Sequence, residues 1–101
     1  MKTRLILNLL TMLAFASTGV AFAGDIQEGR QTYELHCSVC HGIDGMPIDM
    51  TIPSFANGDR LFQMDQDLLR SIREGRELMP AFRGLLSDDE IRDVIAYLRT
   101  L

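Results

Sequence analysis

Ile91, Val94, Ile95 and Leu98 fall at i, i+3, i+4 and i+7, the apolar stripe of a helix that lays one face on a core. Its start is marked as well. Ser87 stands as the N-cap, Glu90 three residues on completes a capping box, and Asp88 and Asp89 occupy the first turn, where the helix dipole favours acids. A second helix is predicted from Gln66 to Glu74, with Asp65 as N-cap, Leu68, Leu69 and Ile72 inward, and Gly75 as the stop. Met64 precedes that cap and is placed to pack on Leu69 as a hydrophobic staple. A third begins at Asp25, with Glu28 three residues later, and continues to about Val39 with Ile26, Gly29, Tyr33 and Cys37 along one stripe. Between them, Gly42, Gly45, Pro47, Pro53 and Gly58 mark a loop, followed by a short helical turn around Asp59–Gln63. No stretch alternates apolar and polar residues long enough to read as a strand. The class is therefore all-α, three main helices with long loops.

The first residues follow a different pattern. Lys2 and Arg4 are followed by an apolar run from Leu5 to about Ala16, and Ala21-Phe22-Ala23 supplies the small residues a signal peptidase reads. Asn8 and Thr11 interrupt the run, which falls short of the roughly 18 apolar residues of a spanning helix. Residues 1–23 thus read as a cleaved signal peptide, and residues 24–101 as a single domain with no stable membrane insertion after cleavage. No cysteine lies in the first 36 residues to accept a lipid there.

Losing Lys2 and Arg4 leaves eight basic residues against fourteen acidic ones, a formal charge of −6. Such a surface argues against nucleic acid and favours association with a basic patch on a partner, at rates that fall as salt rises. The apolar fraction of 47% and the charged fraction of 24% are those of an ordinary folded protein. A domain of 78 residues nevertheless has a marginal core of its own, and an apolar cofactor would fill it.

Cys37-Ser38-Val39-Cys40-His41 identifies such a cofactor. At this spacing two thiols can add to the two vinyl groups of a haem while the next residue ligates the iron. On a helix end, positions i, i+3 and i+4 share one face, so both sulfurs and the imidazole are directed to one plane. Three other uses of the motif are weaker. A thioredoxin-type dithiol needs a βαβ setting, a structural zinc site wants four ligands, and a bare disulfide leaves His41 without a role. The remaining histidine, His36, points away from His41 and reads as an exposed helix residue.

Met46, Met50, Met64 and Met79 are candidates for the second axial position. Met46 and Met50 lie close behind His41, where the chain would have to double back, and Met64 suits packing at the helix start. Met79 lies 38 residues beyond His41, just before Pro80, in a segment that can cross to the opposite haem face. Spacing alone leaves it open between a ligand and a core gap filler.

Taken together, Gly29 with Tyr33, the motif ending in His41-Gly42, Pro53, Met79-Pro80-Ala81-Phe82, and Leu86 to Ile91 leading to Ala96-Tyr97-Leu98 resemble a class I monohaem c-type cytochrome over residues 24–101. That resemblance implies the cytochrome c fold wrapped around one covalent haem c. Gly29 and Tyr33 would meet Val94 and Tyr97 where the first and last helices cross. It implies His41 and Met79 as the axial ligands, and the Pro53 carbonyl as acceptor for the second imidazole N–H. Phe55-Ala56-Asn57-Gly58 only approximates the family's usual Leu-Ala-Gly run after that proline. No tryptophan is present to contact the haem propionates, which leaves Arg60, Arg76 and Arg83 as candidates. The expected role is that of a periplasmic one-electron carrier, not an enzyme, docking transiently between a donor and an acceptor redox protein. Alternatives are a dedicated electron-transfer subunit of one enzyme complex, or a gas sensor or peroxidase if Met79 does not bind firmly.

Overall fold

The computed structural model describes residues 24–101, so the signal peptide expected over residues 1–23 lies outside the described residues. Among the described residues four α-helices form: α1 (Ile26–His36), α2 (Ser38–His41), α3 (Asp65–Glu74) and α4 (Asp88–Leu98), with a 3-10 turn at Phe55–Asn57. Only isolated bridges, Arg76 with Met79 and Arg83 with Leu86, occur beside them among the described residues.

Helix α1 starts as its sequence dictates, the Asp25 carboxylate accepting the N–H groups of Gln27 and Glu28 at 2.9 and 3.0 Å. It ends earlier than the expected Val39. The Ser38 hydroxyl donates to the Glu34 carbonyl at 2.6 Å, a back-bond of the kind that bends helices, and Cys37 sits between α1 and the short α2. Gly29 and Tyr33 are buried, whereas Ile26, expected on the same stripe, is 51% exposed. The buried side of α1 is therefore narrow, centred on the crossing with α4.

At that crossing, a methyl group added to Gly29 would overlap the Asp93 carbonyl and stand 2.9 Å from the Val94 nitrogen. Only glycine lets the two backbones approach this closely. Tyr33 packs edge-on to Tyr97, ring centroids 5.3 Å apart, and shares a buried cluster with Phe55, Val94 and Leu98. Helix α4 carries the full capping box: Ser87 accepts from the Glu90 N–H, and the Glu90 carboxylate from the Ser87 N–H, both at 3.1 Å. Its other apolar residues, Ile91 and Ile95, join Leu68, Ile72, Phe82 and Leu86 in a second cluster.

Helix α3 corrects two expectations. Its N-cap is Met64, 71% exposed and so no buried staple, and Asp65 lies in the first turn. The Asp65 carboxylate is instead held by Arg99, which also donates to the Leu61 and Gln63 carbonyls at 2.6 and 2.9 Å. Where a helical turn is expected at Asp59–Gln63 the chain makes only single hydrogen-bonded turns, the Leu61 N–H donating to the Gly58 carbonyl at 3.2 Å and the Gln63 N–H to the Arg60 carbonyl at 3.4 Å. A 3-10 turn lies just upstream at Phe55–Asn57. Gly58 ends it with a φ of 80°, and the Asp59 carboxylate reaches back to the Ser54 N–H at 2.9 Å.

Candidate functional site

Both thiols of the motif are free, Cys37 partly buried at the α1–α2 junction and Cys40 exposed on α2. Burial pushes the Cys37 thiol up to about 11, so it stays protonated at neutral pH. His41 ends α2 and is buried. Its Nδ1 lies 3.4 Å from the Pro53 carbonyl, a long contact across 12 residues that is a hydrogen bond when Nδ1 carries the proton. Burial holds the imidazolium below its ordinary range, with the Pro53 contact acting in the opposite direction. The neutral ring favoured in this way is the form that ligates metals. Its other nitrogen, Nε2, has no hydrogen-bond partner among the described residues.

Several groups to which the sequence assigned no part in seating His41 hold this ring in place. Phe55 stacks on His41 with centroids 4.5 Å apart and planes at 22°. Phe55 is seated in turn by Gly45, whose carbonyl accepts the Ala56 N–H at 3.2 Å. The Tyr33 hydroxyl donates to the Gly42 carbonyl at 2.6 Å, tying the residue after His41 to the α1–α4 crossing. Gly42 has a φ of 79°, and a methyl group there would overlap the Met46 carbonyl. The sequence signals for this network were the density of glycine behind the motif and the family resemblance at Tyr33 and Phe55, neither of which placed these groups around His41.

Met79 is partly buried against the cluster of Leu68, Ile72, Phe82, Leu86, Ile91 and Ile95. It closes a tight turn, its N–H donating to the Arg76 carbonyl at 2.8 Å and its carbonyl accepting from the Arg76 N–H at 3.1 Å. The other methionines considered as ligands, Met46, Met50 and Met64, are 59, 101 and 71% exposed. His36, expected to be exposed, is partly buried and packs edge-on to Phe82, centroids 6.5 Å apart, three residues beyond Met79.

The three candidate arginines for the propionates occupy different places. Arg60 lines a cleft of about 470 Å³ together with Pro53, Ile52 and Phe62. Arg76 belongs to the Met79 turn, and the Arg83 N–H donates to the Arg73 carbonyl at 3.0 Å. None of the three is in an ion pair among the described residues, whereas the other five arginines of residues 24–101 are.

These residues suit a haem. The chain offers two unpaired thiols, a buried imidazole with one nitrogen free, and a thioether on a fixed turn. It also leaves Ile43, Met46, Ile48, Met50 and Phe62 exposed in the loop between α2 and α3, apolar surface that a large apolar group fits.

Known proteins are similar to this chain. Residues 24–98 match the family model described as cytochrome c oxidase, cbb3-type, subunit III. A cytochrome c6 from a Synechococcus species is 32% identical over 98 residues, covering 95% of this chain and 87% of the relative. A cytochrome c6 from Gracilaria tenuistipitata var. liui is 31% identical over 81 residues, covering 78% and 75%.

Proposed function

The chain belongs to the class I monohaem c-type cytochromes and carries one covalently bound haem c, and from that premise we propose that it is an exported one-electron carrier. Residues 1–23 direct export to the periplasm and are removed, leaving residues 24–101; the family match beginning at residue 24 supports that boundary. Cys37 and Cys40 hold the haem, His41 binds one face of its iron, and Met79 the other. Pro53 fixes the His41 ring and strengthens its donor nitrogen.

The observation that carries this reading is the joint setting of the motif. His41 is buried with Nδ1 facing the Pro53 carbonyl, on the same short helix as Cys40 and one turn from Cys37, while both sulfurs are free. Haem bound there supplies reversible one-electron exchange at iron. The chain's own part is to provide His41 and Met79 as the residues that would hold the iron, which would leave no open site for oxygen or substrate. A thioether on one side and an apolar surround both favour the reduced state. Donor and acceptor are redox proteins that dock transiently, through interfaces at the small end of the specific range.

The test is the optical spectrum of the haem-loaded protein with and without Met79→Ala. Wild type is expected to be low-spin with the sulfur-to-iron band of a thioether ligand, and the variant high-spin and open to carbon monoxide. An unchanged spectrum in the variant would remove Met79 from the iron. Wild type that binds carbon monoxide rapidly would replace the carrier reading with gas sensing or peroxidase activity. A second reading, a dedicated subunit of one enzyme complex, is favoured by the family description, which names an oxidase subunit. Recovery of the protein only within such a complex, and never free, would establish it.

A further inference from the structure

We infer that Gly75, together with the left-handed residue Glu77, positions Met79 and sets how firmly its thioether is presented; this rests on the reading of Met79 as the iron ligand. Gly75 terminates α3 with φ 78° and ψ 167°, a backbone conformation essentially confined to glycine. A methyl group on it would stand 2.7 Å from the Met79 carbonyl oxygen, 2.8 Å from the Ala81 nitrogen and 2.9 Å from the Pro80 carbonyl carbon. All three are backbone atoms of consecutive residues, so no side-chain rotation relieves the overlap. The methionine segment is therefore packed directly on the end of α3, and this contact exists because position 75 has no side chain.

The rest of the turn is fastened in the same way. The paired hydrogen bonds between Arg76 and Met79 leave only Glu77 and Leu78 at the tip, with Glu77 at a φ of 52° and Leu78 99% exposed. Beyond Met79, the Phe82 N–H donates to the Ile72 carbonyl at 3.2 Å and the Arg83 N–H to the Arg73 carbonyl at 3.0 Å. Met79 is thus tied to α3 on both sides, and a change at Gly75 moves the ligand without touching it. Gly84 provides the comparison. Its φ of 88° is also in the positive region that strains alanine, but a methyl group there meets nothing within 4 Å.

The test compares haem-loaded wild type, Gly75→Ala, Gly84→Ala and Met79→Ala by imidazole titration of the ferric form and by hydrogen exchange at the Met79 amide. Gly75→Ala is expected to bind imidazole about tenfold more tightly than wild type, a displacement worth one decade in the ligand equilibrium. Its Met79 amide should exchange faster, while Gly84→Ala stays near wild type in both readouts. Equal behaviour of the two glycine variants would overturn the inference. A spectrum unchanged by Met79→Ala would instead overturn the ligand reading, and the amide exchange still decides whether Gly75 holds the turn. Glu77→Gly relaxes the tip without enlarging any side chain. It is expected to slow that exchange and weaken imidazole binding about threefold, as relief of a left-handed residue predicts. Exchange as fast as wild type or faster in Glu77→Gly would also overturn the inference, even if Gly75→Ala failed to assemble.

Discussion

Replacing Gly29 by alanine should destabilise the protein, although the same exchange on an open helix surface would stabilise it by about 1 kcal/mol. The added methyl would overlap the Asp93 carbonyl and stand 2.9 Å from the Val94 nitrogen, both on the backbone of α4. Carbon atoms in contact sit about 3.5–4 Å apart, so α1 and α4 must part by about 1 Å or more. Overpacking of this sort costs about 1–3 kcal/mol, and more where no side chain can yield. Here both sides of the contact are backbone, which places the cost at about 3 kcal/mol or above and the net loss, after the propensity gain, at about 2 kcal/mol. The separation would also loosen the Tyr33–Tyr97 packing and the cluster of Phe55, Val94 and Leu98. Urea unfolding of the haem-loaded protein is the assay. For a small domain with a slope of about 1–2 kcal/mol per molar, the midpoint should fall by about 1–2 M. A midpoint equal to or above that of wild type would refute the argument that close backbone approach, and not chance, requires glycine at this position.

Other predictions follow from the same structure. Ser87→Ala removes one half of the α4 capping box and should lower stability by about 1 kcal/mol, read from the shift in urea midpoint; a loss under a few tenths would show the cap to be dispensable. Burial foremost, then the charges of Cys37, Tyr97 and Asp44, pushes Tyr33 up to about 12. Because its folded value lies above the unfolded one of about 10, the stability it contributes is complete below about pH 10 and is lost as pH rises through about 12. In the haem-loaded protein Cys37 has no thiol to titrate, and no lysine lies in residues 24–101 to titrate in that window. Tyr33→Phe should therefore abolish the fall in unfolding free energy over that range. It should also cost about 1–2 kcal/mol at neutral pH, because the Gly42 carbonyl loses its donor. An alkaline fall of unchanged size in the variant would trace it to another group.

What was legible in the sequence was what local chemistry decides. The Ser87–Glu90 box, the α4 stripe and the Cys37–His41 motif each depend on residues within a few positions of one another, where one turn of helix sets the geometry. The Gly29–Tyr33 crossing was legible through family resemblance, and the structure brings the named residues together. Features set by distant partners were not. Asp65 looks like an N-cap until Arg99, 34 residues away, takes its carboxylate. His36 looks exposed until Phe82 folds against it, and Ile26 continues the helical stripe although its side chain stays 51% exposed. The break between α1 and α2 at Cys37 is accompanied by a serine hydroxyl bonded to a helix carbonyl, which helix periodicity does not reveal. The Phe55 ring behind His41 was hidden in the same manner, since only the folded loop between α2 and α3 brings it there.

The central claim, one-electron carriage by an iron closed on both faces, is tested most directly by a spectroelectrochemical titration of the haem-loaded mature protein with carbon monoxide present and absent. A single reversible one-electron transition is expected, with low-spin spectra in both oxidation states and a midpoint potential unmoved by carbon monoxide. A high-spin ferrous form, or a potential that rises with carbon monoxide because the gas captures the ferrous iron, would contradict the claim.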